Sequence, residues 1–98
     1  MKKLSIDELH DFPIDGPKIP GFSTELYGLR DESADLIGIV LRDNTDQDFG
    51  FVVLTRKGHP KARFASIDHG ASLPDEDSAD KALRAAMEKA RKEGTQWE

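Results

Sequence analysis

Asp68-His69-Gly70, with Ser66 and Ser72 on either side, brings together residue types of nucleophilic catalysis in this 98-residue chain. An acid–base pair with a hydroxyl needs its three side chains to converge, and convergence is set by geometry rather than by adjacency. Neighbouring residues at a strand end point apart, so a turn at 68–72 is the expected structure. There Gly70 supplies backbone freedom and Asp68 accepts from nearby amides. A small enzyme built on Asp68 and His69 is the least favoured reading.

The segment 56–63 is a basic island with no acid inside it: Arg56, Lys57, His59, Lys61 and Arg63. A basic hairpin can lie against phosphates as a wing. It can equally guard an edge strand against pairing with another chain. The edge reading is preferred, with phosphate binding by these five residues as the alternative.

Metal chemistry has less support. Asn44, Asp46 and Asp48 alternate as in the first half of a calcium loop, but Gly50 comes one residue late and Thr55 stands where the bidentate glutamate belongs. A solvated hairpin turn is expected instead. His10, His59 and His69 are scattered, and there is no cysteine for a zinc site or a disulfide. No glycine-rich phosphate loop, nucleophile elbow or metalloprotease helix is present. The expectation is no catalytic residue, no metal and no cofactor.

Charge narrows the partners. The net charge is −5. Residues 1–49 carry −6 and the remainder +1, which disfavours binding of nucleic acid by the whole domain. No apolar run approaches a membrane span or a signal-peptide core. A soluble cytoplasmic protein is expected, without a membrane partner.

These residues must be positioned by an α+β scaffold. The clearest periodic stretch is C-terminal, where Ala79, Ala82, Leu83, Ala86, Met87 and Ala90 form one stripe of a helix. Asp75, Glu76, Asp77 and Asp80 crowd its start, and Lys89, Arg91 and Lys92 its end, complementing the helix dipole. Gly94 is placed to end it. The N-cap is either Asp75, or Ser72 with Pro74 in the first turn.

At the other end, Ser5-Ile6-Asp7-Glu8 fits a capping box, with Leu4 and Leu9 as a hydrophobic staple. A short helix over residues 6–11 is expected, stopped by Pro13. Residues 1–21 read as this capped turn followed by an arm rich in proline and glycine: Pro13, Gly16, Pro17, Pro20 and Gly21. Ile14, Ile19 and Phe22 lay the arm against the domain. Residues 22–94 form the single domain, and 95–98 a tail.

Four strands are expected, near residues 22–29, 36–41, 49–55 and 62–67, joined as an antiparallel meander with the C-terminal helix on one face. The order of strands and helix is similar in topology to small double-stranded-RNA-binding and antitoxin-type domains. No motif is shared, so no residue role follows. The expected core is Leu26, Ile37, Ile39, Leu41, Phe51, Val53, Phe64, Leu83, Ala86 and Met87. The two middle strands are apolar on both faces, so the face away from the helix also needs a cover: the N-terminal arm, a second protomer in a homodimer, or both.

An up-and-down meander collects Asp43, Asp46, Asp48, Asp68, Asp75, Glu76 and Asp77 at one end. Ordinary solubility accounts for this. The sharper reading is a docking surface for a basic protein partner. Small size and acidity, without a catalytic set, point to a non-enzymatic protein-binding module of inhibitor, immunity, antitoxin or adaptor type. A nucleic-acid-associated regulator is the runner-up.

Overall fold

Two glycines mark where helices meet the sheet. In the computed structural model, which describes residues 1–15 and 23–96, a Cβ on Gly38 would stand 2.5 Å from Leu83 Cδ1 and 2.6 Å from Met87 Sδ. A Cβ on Gly28 would stand 2.6 Å from Leu9 Cδ2. Each glycine is a socket for a leucine, and the two sockets open on opposite faces.

The elements run β1 (Lys2–Leu4), α1 (Ile6–His10), β2 (Ser23–Asp31), β3 (Leu36–Asp43), β4 (Phe49–Thr55), β5 (Ala65–Leu73) and α2 (Glu76–Glu93). The sheet is antiparallel with strand order β1-β2-β3-β4-β5. It has five strands where four were expected. The extra one is β1, whose three residues pair with Gly28, Leu29 and Arg30 of β2. Three residues are too few to show an alternation. Phe22, the expected first residue of β2, lies outside the described residues, as do Gly16, Pro17, Ile19, Pro20 and Gly21 of the arm and Trp97 of the tail.

Both capping arguments hold. Ser5 Oγ accepts from the Glu8 amide at 3.2 Å, and Glu8 Oε1 accepts from the Ser5 amide at 3.0 Å, closing the box around α1. Asp75, not Ser72, caps α2, accepting from the Ser78 amide at 2.7 Å. Gly94 ends α2 in the left-handed conformation at φ 62°.

The core is two clusters, one on each face of the sheet. On the α2 side, Leu29, Leu36, Val40, Phe51 and Val53 pack on Ala79, Leu83, Met87 and Ala90. On the other side, Ile37, Ile39, Val52, Leu54 and Phe64 pack on Leu4 and Leu9, with Phe12 and Ile14 at the margin. Each fully buried leucine or methionine contributes about 1.5–3 kcal/mol. Of the expected core, Leu26, Leu41 and Ala86 are only half-buried. The second apolar face is covered by the N-terminal segment, and among the described residues Met1 is the one large hydrophobic side chain left exposed.

The fourth strand is displaced from its expected place. Ala62 sits at φ 52° in the connection before β5, and the strand runs through Asp68, His69 and Gly70 to Leu73. The turn expected at 68–72 is therefore strand. Gly70 lies opposite Phe51, whose ring carbon Cε1 would be 2.4 Å from a Cβ there. The glycine makes room for a ring rather than for a turn. Register shifts break the β4–β5 ladder between Phe49 and Phe51 and between Val53 and Leu54.

Candidate functional site

Asp68 and His69 do not form a pair. Asp68 lies opposite Val53 and His69 opposite Val52. Val53 belongs to the α2-side cluster and Val52 to the other, so the two side chains leave the strand on opposite faces. Asp68 Oδ1 accepts from the His69 amide at 2.8 Å. Asp68 also drops out of the acidic end, because it stands in the middle of β5.

The other six acids of that end are brought to one region by the pairing of Phe49 with Leu73, which sets the β3–β4 turn beside the start of α2. Two of them serve the fold. Asp43 Oδ1 accepts from the amides of Thr45 at 2.8 Å and Asp46 at 3.3 Å, shaping the turn, while Gln47 takes φ 60°. Asp75 caps α2, and its bond from the Ser78 amide holds its carboxyl below the usual range. Asp46, Glu76 and Asp77 are exposed and Asp48 is half-buried. Among the described residues, no three carboxylates or imidazoles are grouped to hold a metal ion.

Three of the island's five basic residues are engaged by carboxylates of other segments. The island forms the connection 56–64, two consecutive turns closed by His59 N to Arg56 O at 3.1 Å and Ala62 N to His59 O at 3.0 Å. Gly58 at φ 78° and Pro60 fit the positions those turns demand. Arg56 Nε bonds Asp35 Oδ2 at 2.6 Å, and its guanidinium stands 4.9 Å from the centre of the Phe64 ring. Asp35 is shared with Arg30, whose Nη2 reaches Oδ1 at 2.7 Å. Burial opposes the charge on Asp35, but the hydrogen bonds and charges of Arg56 and Arg30 outweigh it, and its carboxyl is held below the usual range. Arg63 Nη2 donates to Ile14 O at 3.0 Å, and His59 Nε2 lies 2.9 Å from Asp15 Oδ2. Only Lys57 and Lys61 of the five lack an ion pair among the described residues.

The island is thus not the guarded edge that was expected. β5 is an outer strand of the sheet, but the basic residues precede it. What interrupts its ladder is the pair of register shifts, reinforced by Ser72 at φ 61°.

Two clusters escaped sequence reasoning. Tyr27 donates its hydroxyl to Asp80 Oδ2, Arg84 Nε bonds Asp80 Oδ1 at 2.5 Å, and Lys3 Nζ stands 4.3 Å from the centre of the Tyr27 ring. The second is a cleft of about 380 Å³ between α1, β2 and β3. Leu9, Phe12, Ile14 and Ile39 line its floor, with His10, Glu25 and Arg63 among its polar lining. His10 Nε2 and Glu25 Oε1 are 3.5 Å apart. Neither cluster has a sequence signal, since each joins residues from elements far apart in the chain.

No family model, curated protein or solved structure matches this chain. Its architecture is an α+β fold with an antiparallel five-stranded sheet and a C-terminal helix. No helix among the described residues is long and apolar enough to cross a membrane.

Proposed function

We propose that the domain is a non-enzymatic protein-binding module whose acidic end receives a basic partner. The observation that carries this reading is the pairing of Phe49 with Leu73, which sets the β3–β4 turn beside the first turn of α2. Asp46, Glu76 and Asp77 lie there, exposed and without ion pairs among the described residues. Such a surface steers a basic protein by charge, with association falling as salt rises. The divergence of Asp68 and His69 weighs against the enzyme reading built on that pair. The engagement of Arg56, Arg63 and His59 with carboxylates weakens the phosphate reading.

The test is capture from lysate by the parent and by a variant carrying Asp46→Lys, Glu76→Lys and Asp77→Lys. The expected result is a protein retained by the parent at low salt and lost by the variant. The same proteins on both, or RNA or DNA retained in a manner abolished by Lys57→Glu with Lys61→Glu, would overturn it.

A further inference from the structure

The cleft between α1, β2 and β3 holds a cation whose donors are largely unused. Arg63 lines it. The guanidinium makes one hydrogen bond among the described residues, from Nη2 to Ile14 O at 3.0 Å. Its Nε is closed off from solvent and has no hydrogen-bond partner. Asp15 Oδ1 stands 3.8 Å from that nitrogen, beyond hydrogen-bond reach. Donors buried in a fold are rarely left so. The side chain as a whole is 43% exposed, so a solute can still reach it.

The rest of the lining suits an apolar body. Leu9, Phe12, Ile14 and Ile39 form the floor of a space of about 380 Å³, and Phe12 and Ile14 are only half-buried. One acid shares the cleft. Glu25 lies in it with Oε1 3.5 Å from His10 Nε2, and its side chain is 23% exposed.

We propose that this cleft binds a small monocarboxylic acid with an apolar body. The body covers Phe12 and Ile14 and removes apolar surface from water. The carboxylate meets the Arg63 guanidinium, whose planar donors match its two oxygens. Asp15 does not forestall this contact. Its side chain is 47% exposed, so water screens it, and at 3.8 Å it leaves the Nε hydrogen without an acceptor. Glu25 sets the selectivity, because a second carboxylate on the ligand would share the cleft with it. None of the acids of the acidic end lines this cleft, so the inference goes beyond the protein-binding reading and does not depend on it.

The experiment is an NMR titration of the full chain near neutral pH with phenylacetate. Phenylacetamide, of the same shape without the charge, and 1,4-phenylenediacetate, with a second carboxylate, are the comparisons. Phenylacetate should shift the amides of Phe12, Ile14 and Ile39 and the Nε–H of Arg63, with a dissociation constant of about 1 mM or below. The amide and the dicarboxylate should each bind about tenfold or more weakly. Arg63→Gln should bring the acid down to the level of the amide, and Glu25→Gln should narrow the gap between one carboxylate and two. If Arg63→Gln unsettles the 13–15 segment, the comparison of acid with amide on the parent chain decides alone. Acid and amide bound equally, or shifts confined to residues outside the cleft, would overturn the site. So would the absence of any shift at about ten times that concentration. A dicarboxylate bound as tightly as phenylacetate would overturn the assignment to monocarboxylic acids.

Discussion

Tyr27 gives its hydroxyl hydrogen to Asp80, and through that bond β2 is joined to α2 across 53 positions of chain. Arg84 completes the group from the next turn of the helix. Removing the hydroxyl with Tyr27→Phe leaves Asp80 its bond from Arg84. The expected loss is about 1 kcal/mol, the net value of one such hydrogen bond, read from urea unfolding. A larger loss is expected from Asp80→Ala, which leaves the partly buried phenol without its acceptor and strips Arg84 of its partner.

The same group sets an alkaline limit. Burial first, then the bond to Asp80, pushes the Tyr27 phenol well above its ordinary value. Tyrosines in unfolded chains ionise near about pH 10. A raised value in the fold means that the stabilisation is complete below that pH and is lost as pH climbs through the folded-state value. Tyr27 is the only tyrosine, so absorbance near 295 nm reports it directly. Its ionisation should coincide with unfolding, and a simple titration near pH 10 with the fold intact would contradict this.

Asp35 sets the acid limit. Its lowered value means stabilisation that is present above the unfolded carboxyl range near about pH 3.9 and is lost as pH falls through the folded value. Asp35 also sits at φ 54°, which asparagine tolerates and alanine does not. Asp35→Asn therefore removes the charge while sparing the backbone. The expected cost is about 2 kcal/mol, discounted from a fully buried pair because the carboxylate is partly exposed. Asp35→Ala should cost more, and the acid dependence should flatten in both.

Gly38→Ala places a methyl group against Leu83 and Met87. Overpacking of this kind costs about 1–3 kcal/mol. Gly38→Ala with Leu83→Ala should be less destabilised than the sum of the two single changes, since the second makes room for the first. Leu83→Asp, burying an unpaired charge at a site with no exposure, should unfold the domain. Calorimetry on the four variants checks both statements.

Deleting residues 1–15 removes Leu4, Leu9, Phe12 and Ile14 from the face formed by Ile37, Ile39, Val52, Leu54 and Phe64. The full chain should sediment as a monomer and the truncated chain should associate or aggregate. Association of the full chain to a dimer at low concentration would show that a second protomer adds to this cover.

The legible parts of the fold were those governed by residues close in sequence. Ser5 and Glu8 declared α1, Gly94 ended α2 and Asp75 was one of two candidates for its start, because caps are local chemistry. The two-sided apolarity of β3 and β4 declared that a second cover was needed. The second half of β5 was illegible because Gly70 has the look of a turn residue, and only the ring of Phe51, nineteen positions away and visible once the strands are paired, shows why a glycine stands there. The basic island misled for a similar reason: the acids that engage it, Asp15 and Asp35, belong to other segments. Asp68, expected among the acids at one end, lies within β5 instead.

The docking of Ile14 beside Phe64 also sets an order of events. The hairpins join neighbours in the chain, and such contacts close early. The N-terminal segment is synthesised before the sheet it covers, and that apolar face is not finished until Phe64 has followed. Its earliest partner is Gly28 to Arg30, through β1. Until Phe64 has emerged, Leu9 and Phe12 have only part of their site. The growing chain therefore carries its own lid material in waiting, and the half-made sheet is the stage at which a nascent-chain chaperone would find most to hold.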